Sequence, residues 1–279
     1  MKTVRLNNGV EMPQIGYGVY QVSPSECERC VSNALECGYR MIDTAQAYHN
    51  EEGVGKAVKN SGIKRNEIFI VSKVWISNYG YENARKSIDE SLKKLQTDYI
   101  DLMLLHQPFC DRYGAYRALE EAYKEGKLRA IGVSNFYPDH FIDIASNMEI
   151  IPAVNQVETH VFDQQIEAQK IMEEFGTRIM SWGPLAEGRN NFFNNTILAN
   201  IGAKYGKSIA QVALRWLIQR GVIVIPKSTH IERMKENIDI FDFSLSQEDM
   251  ENIARLDTGK SLFFDHHDAD TVRMFMGWR

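Results

Sequence analysis

From residue 15 to about residue 240, short apolar, β-branched runs alternate with longer segments whose apolar positions recur at helical spacing. The short runs fall at 15–17, 40–42, 68–72, 100–105, 129–133, 153–157, 179–182 and 222–225, and each reads as a strand. Between them, stretches such as 26–37, 81–95, 116–125, 164–175 and 209–220 read as helices. Within 81–95, Ala84, Ile88, Ser91, Leu92 and Leu95 share one face. Eight strands, each followed by helical sequence, imply a parallel sheet, and a sheet of eight parallel strands most readily closes on itself. The expected fold is therefore α/β, a (β/α)8 TIM barrel. Ahead of it, VRLNNGVEM reads as a β-hairpin with Asn8-Gly9 supplying the turn, placed to plug the bottom of the barrel.

Nothing between residues 15 and 260 looks like a linker, and no close repeat or low-complexity stretch appears, so residues 1–279 are expected to form a single domain. That length suits one such barrel. A net charge of −5 argues against sequence-independent binding to nucleic acid, so any anion site must be local. The start, MKTVRLNNGVEM, has no apolar core for a signal peptide, and no run could span a bilayer. The cytoplasm is the expected compartment, with no membrane partner. Four cysteines (Cys27, Cys30, Cys37, Cys110) are too few for a disulfide framework, and Cys27-x2-Cys30 lacks a second half at zinc spacing. Buried or half-buried thiols are expected.

What sits at the strand ends changes the picture. RMID ends in Asp43, FIVSK in Lys73, LMLLH in His106, IGVSN in Ser134-Asn135, AVNQ in Gln156 and VIPK in Lys227. In a barrel all strand C-termini open on one face, so these residues converge there. Each has an ordinary explanation when taken alone: Asp43 as a helix cap, Lys73 as a snorkelling surface lysine, His106 as a core histidine. Six strands ending this way point to an active site. Tyr48 follows Asp43 in DTAQAYHNE and adds a phenol to the same mouth. A tyrosine with a pKa of about 10 is a poor acid near neutrality. A neighbouring ammonium lowers that value, and a carboxylate holds the ammonium in place. A histidine across the pocket can donate to a substrate oxygen. The set suits delivery of a proton to a carbonyl oxygen while hydride reaches its carbon.

At this point the sequence resembles the aldo-keto reductase superfamily over nearly its whole length. The resemblance is carried by GYRMIDTAQAYHNEEGVGKAV, IFIVSKVW, DYIDLMLLHQP, GKLRAIGVSNF, PAVNQVE and VIPKSTHIERMKENIDIFDF. It implies a catalytic tetrad of Asp43, Tyr48, Lys73 and His106, with Tyr48 the proton donor and His106 orienting the carbonyl. It also implies that Ser134, Asn135 and Gln156 hold a nicotinamide carboxamide and that Trp182 stacks on its ring. Within the superfamily the chain looks most like the bacterial diketogluconate-reductase and prostaglandin-F-synthase-like branch. Two departures bear on the site. Gly183 stands where many relatives carry Ser, leaving backbone N–H groups around Leu185 to meet a pyrophosphate. Gln107 stands where many carry Trp, which alters one pocket wall.

The cofactor signal is not a glycine-rich loop. Gly16-x-Gly18 lacks the third glycine of the dinucleotide fingerprint, with Gln21 in its place. The segment from Pro226 to Arg233 offers an alternative. Ser228 or Thr229 can cap a helix whose free N–H groups favour an anion, and Lys227 and Arg233 flank its start. Two cations and two hydroxyls suit a phosphate monoester, which selects NADPH/NADP+ over NADH. The resemblance implies the same 2′-phosphate site, with Glu236 and Asn237 on the adenine. His266, His267 and Asp268 suggest a metal, but a hydrophilic, partly mobile tail accounts for them, and no metal is expected.

The expected function is NADPH-dependent reduction of aldehydes and ketones to alcohols, in a pocket walled by Tyr20, Trp75, Phe109 and Trp278. The alternative is an NADPH-binding regulatory subunit that senses redox state and turns over slowly, though no extra N-terminal segment for docking a partner is expected. A monomer is expected. The loops after His106 and after Pro184 are short, so the mouth is expected to be open.

Overall fold

The structure, a computed structural model, describes residues 2–278. Strands β1 (Thr3–Arg5) and β2 (Glu11–Pro13) pair antiparallel as a separate two-stranded hairpin. Its turn is wider than Asn8-Gly9 alone. Leu6 and Val10 pair across a three-residue loop, and Gly9 takes the left-handed conformation (φ +87°) that closes it. Asn7 donates to the carbonyl oxygen of Pro152 and Asn8 to that of Arg129, at the entrances of two barrel strands. Leu6 and Met12 are buried against Phe69, Leu102 and Ala153. The hairpin therefore plugs the bottom, as expected.

Eight parallel strands follow in sequence order: β3 (Tyr17–Gly18), β4 (Met41–Asp43), β5 (Phe69–Val74), β6 (Leu102–Leu105), β7 (Ile131–Ser134), β8 (Val154–Glu158), β9 (Arg178–Trp182) and β10 (Ile223–Val224). A parallel bridge between Ile15 and Val224 joins the last strand to the start of the first, which closes the barrel. The helices are α1 (Pro24–Glu36), α2 (Glu51–Asn60), α3 (Tyr81–Leu95), α4 (Arg112–Lys124), α5 (Pro138–Asn147), α6 (Ile166–Glu174), α7 (Thr196–Tyr205), α8 (Ile209–Gln219), α9 (Ile231–Ile238), α10 (Gln247–Ala254) and α11 (Ala269–Met276).

Several boundaries differ from the sequence reading for local reasons. Helix α4 begins at Arg112 rather than 116, because Asp111 caps it by accepting from the Gly114 N–H at 2.9 Å. Helix α6 begins at Ile166 rather than 164, because the Gln164 side chain is drawn away to Val161 and to the end of α10. All four cysteines are free thiols, Cys27 and Cys30 fully buried. No helix among the described residues is long and apolar enough to cross a membrane.

Candidate active site

Three neighbouring strands and one loop bring the chemistry together. Asp43 ends β4, Lys73 lies near the end of β5, and His106 follows β6. Tyr48 sits in a short turn of 3-10 helix whose position is fixed from both sides. Gln46 donates to Ser87 and Ser91 of α3 and accepts from the Trp75 N–H and from Asn78. Asn50 accepts from Thr44 and donates to the carbonyl oxygens of Val19 and Val22. Neither Asp43 nor Thr44 caps a helix; Asp43 lines the barrel mouth, and the Thr44 hydroxyl is buried against Asn50. Lys73 is fully buried, which rules out a snorkelling surface lysine.

The Lys73 ammonium donates to Asp43 Oδ1 at 2.7 Å and to the Thr44 carbonyl oxygen at 2.9 Å, and reaches the Tyr48 hydroxyl at 3.4 Å. The Tyr48 and His106 rings meet edge-on, centroids 5.6 Å apart. Here the electrostatics correct the sequence reading. Burial, reinforced by the Asp43 charge, holds the Tyr48 phenol well above its ordinary value rather than lowering it. Asp43 takes the ammonium at 2.7 Å and the phenol stands 3.4 Å from it, so in the resting site burial outweighs the ammonium's pull on Tyr48. Burial also lowers Lys73, opposed by Asp43, and holds His106 well below the usual histidine range, with Lys73 adding to the shift. At neutral pH the site thus holds a protonated phenol beside a neutral imidazole. His106 Nδ1 is buried without a hydrogen-bond partner among the described residues.

These groups open into a cavity of about 990 Å³. It is also lined by Ser134, Asn135, Gln156, Trp182, Gly183, Leu185 and Lys227, so seven of the residues expected at a cofactor share it with Asp43, Tyr48 and His106, while Lys73 lies buried behind them. Gln156 donates to Asp43 Oδ2 at 2.8 Å, tying the expected amide-binding group to the lysine's carboxylate. Asn135, at φ +62°, donates to the His106 carbonyl oxygen and accepts from the Trp182 indole N–H at 2.8 Å, which fixes the indole plane. Amide-matching groups and an aromatic face at one end, with a cation at the other, fit a nicotinamide dinucleotide.

The rest of the expected phosphate site lies outside this cavity. Ser228, Thr229, Arg233, Glu236 and Asn237 continue beyond Lys227 into α9, and Arg233 is exposed there. Neither Ser228 nor Thr229 caps that helix. Its cap position is His230, whose N–H donates to Ser228 Oγ in a local turn. Glu236 accepts from Ser208, the residue capping α8.

Tyr20, Trp75 and Trp278 line the cavity as expected, the Trp75 indole donating to the Trp278 carbonyl oxygen. Phe109 does not line it. Its ring stacks on His266 behind the wall. The tail is not the mobile hydrophilic end the sequence suggested. His266 is buried between Phe109 and Phe275 and pairs with Gln107, Asp268 caps α11, and His267 faces elsewhere, so these three share no site. Phe263, Phe264, His266 and Phe275 are wall residues that sequence reasoning missed. The paired aromatics of SLFFDHH and the apolar Phe275 were the hint of them in the sequence.

The chain matches the model of the Aldo/keto reductase family over residues 8–258. It is 49% identical over 256 residues to a glyoxal reductase of Bacillus subtilis (strain 168), covering 91% of this chain and 92% of that protein. It is 42% identical over 262 residues to methylglyoxal reductase DkgA of Escherichia coli (strain K12), covering 93% and 94%. Among solved structures, the Bombyx mori aldo-keto reductase in complex with NADP superposes with a TM-score of 0.90 at 31% identity, covering 98% of this chain and 96% of that one.

Proposed function

Because the chain belongs to the aldo/keto reductase family, we propose that it reduces aldehydes and ketones to alcohols with NADPH, small α-ketoaldehydes foremost among them. The observation that carries this reading is the meeting of Asp43, Lys73, Tyr48 and His106 at one end of a cavity whose other lining suits a nicotinamide dinucleotide. The names of the glyoxal- and methylglyoxal-reducing relatives support the substrate class, and the NADP-bound structure supports the cofactor.

NADPH bound along the cleft would supply the hydride, with Ser134, Asn135 and Gln156 holding its carboxamide and Trp182 against its ring. Gly183 and Leu185 would offer backbone N–H groups to the pyrophosphate. Lys227, Ser228, Thr229 and Arg233 would hold the 2′-phosphate, and Glu236 and Asn237 the adenine. Tyr48 keeps its proton until an oxygen that is gaining charge needs it. The Lys73 ammonium then stabilises the phenolate left behind, and Asp43 keeps that ammonium charged despite its burial. His106, neutral at working pH, donates one N–H to the same oxygen and orients the carbonyl. Every residue in this scheme comes from one barrel, so a monomer suffices.

Tyr48→Phe removes the transferable proton and keeps the ring. Reduction of methylglyoxal, followed by NADPH absorbance, should fall roughly 10²–10⁴-fold, while NADPH still quenches tryptophan fluorescence with near-unchanged affinity. A variant keeping more than about a tenth of the activity would remove Tyr48 from the role of proton donor. Wild-type protein that binds NADPH tightly without turnover on any aldehyde would favour the redox-sensing subunit instead.

A further inference from the structure

Outside the barrel mouth, the tail crosses the start of α5. Asp139 lies in the first turn of that helix, directly after Pro138, with His140 beside it. His267 lies two residues before α11 begins. His267 Nε2 is 3.3 Å from Asp139 Oδ1, and His140 Nδ1 is 3.9 Å from the same oxygen. One ligand atom from each of the three residues lies within 4.8 Å of the other two. An ordinary surface contact accounts for Asp139 and His267. It does not account for His140 Nδ1, which is buried, faces the same carboxylate and has no hydrogen-bond partner among the described residues.

We propose that Asp139, His140 and His267 form a site for a divalent transition-metal ion with zinc's ligand preference, and that the ion clasps the C-terminal tail to α5. Two imidazole nitrogens and a carboxylate oxygen bound tetrahedrally at ~2.1 Å stand about 3.4 Å apart. The spacings of 3.3 and 3.9 Å to the carboxylate bracket that value, and the two imidazole nitrogens, within 4.8 Å of each other, complete the set by side-chain rotation. Nitrogen-rich ligation selects zinc, copper or nickel over magnesium and calcium, which take oxygen. The nearby Arg112 guanidinium is engaged by Asp143 at 2.7 Å, which offsets its repulsion of a cation. The clasp matters because the preceding residue, His266, pairs with Gln107 and lines the active cavity. A metal at His267 would hold that wall in place.

The test is a Zn2+ titration by calorimetry on the full chain after chelator treatment, with Mg2+ as control. Hydrogen exchange across residues 265–276 is followed in parallel. One Zn2+ should bind, slow exchange in the tail and leave Mg2+ without effect. His267→Ala and Asp139→Asn, both at exposed positions that folding tolerates, should each weaken binding at least about tenfold and remove the exchange effect. His140→Ala should do the same. No Zn2+ binding, or binding that is unchanged in His267→Ala and Asp139→Asn, or binding that leaves tail exchange unaltered, would overturn the proposal.

Discussion

Asp43 divides its two oxygens between Lys73 and Gln156, so one carboxylate keeps an ammonium charged and orients an amide in the same cavity. A second buried carboxylate, Asp163, has a poorer environment. Burial first, and then the charge of Glu158, push it up to about 6. Its folded pKa exceeds the unfolded value, so between about pH 4 and 6 the folded state binds more protons than the unfolded chain. The contribution of this group to stability therefore falls as pH rises through that window, and the cost is fully present at pH 8. A shift of about two units corresponds to a cost on the order of 3 kcal/mol. Asp163→Asn, which keeps shape and loses charge, should raise stability at pH 8 by up to that amount and change it little at pH 4. Urea denaturation at the two pH values checks this; an equal effect at both would locate the strain elsewhere than in the charge.

Among the elements, β7 and β8 carry Ser134 and Gln156, with Asn135 directly after β7, and must lie close together. Gly132 makes that possible: a Cβ there would stand 2.3 Å from the Val154 carbonyl oxygen and 2.9 Å from a methyl of Leu104. Gly132→Ala should cost roughly 1–3 kcal/mol through overpacking, lowering the thermal midpoint, and should weaken NADPH by misplacing the amide-binding groups. An unchanged midpoint would show that the strands can part freely. Helix α9 poses a different question, because Arg233 is exposed and lies beyond the cavity lining. If it holds the 2′-phosphate, Arg233→Ala should weaken NADPH about ten- to a hundredfold, the worth of a charge-assisted hydrogen bond, and NADH little. Fluorescence titrations with both cofactors compare the two losses, and equal ones would place the 2′-phosphate away from Arg233.

For the molecule as a whole, short loops imply an open mouth, yet the tail supplies the wall that loop lengths leave out. Arg189, in the loop after β9, donates to the Leu262 carbonyl oxygen at 2.7 Å and lies over the Phe263 ring. Glu158 accepts from Ser261 and the Leu262 N–H, anchoring the same stretch of tail to β8. The loop is thus already held in position rather than free to swing over a ligand. NADPH mixed rapidly with the protein should bind in a single fast phase whose rate rises with concentration. A slow, concentration-independent second phase would reveal a closing step.

The alternation of apolar runs and helical spacing determined the barrel, because burying a parallel strand on both faces demands β-branched runs and its crossover demands an amphipathic helix. The polar residues at six of the strand ends were equally legible, since a barrel sends all those ends to one face. Asp43, Lys73 and His106 could therefore be brought to one mouth from strand order, with Tyr48 on the loop beside them, and the family resemblance grouped the four as a tetrad. Helix starts at 112 and 166 were not legible, because they depend on whether Asp111 and Gln164 turn to the local backbone or to distant carbonyls. The direction of the Tyr48 shift escaped for a related reason: it depends on how completely the phenol is buried and on Asp43 having already claimed the ammonium. The tail wall, and the approach of His267 to Asp139 and His140, join segments more than a hundred residues apart. Periodicity records which face of an element is buried, and only packing decides which distant segment covers it.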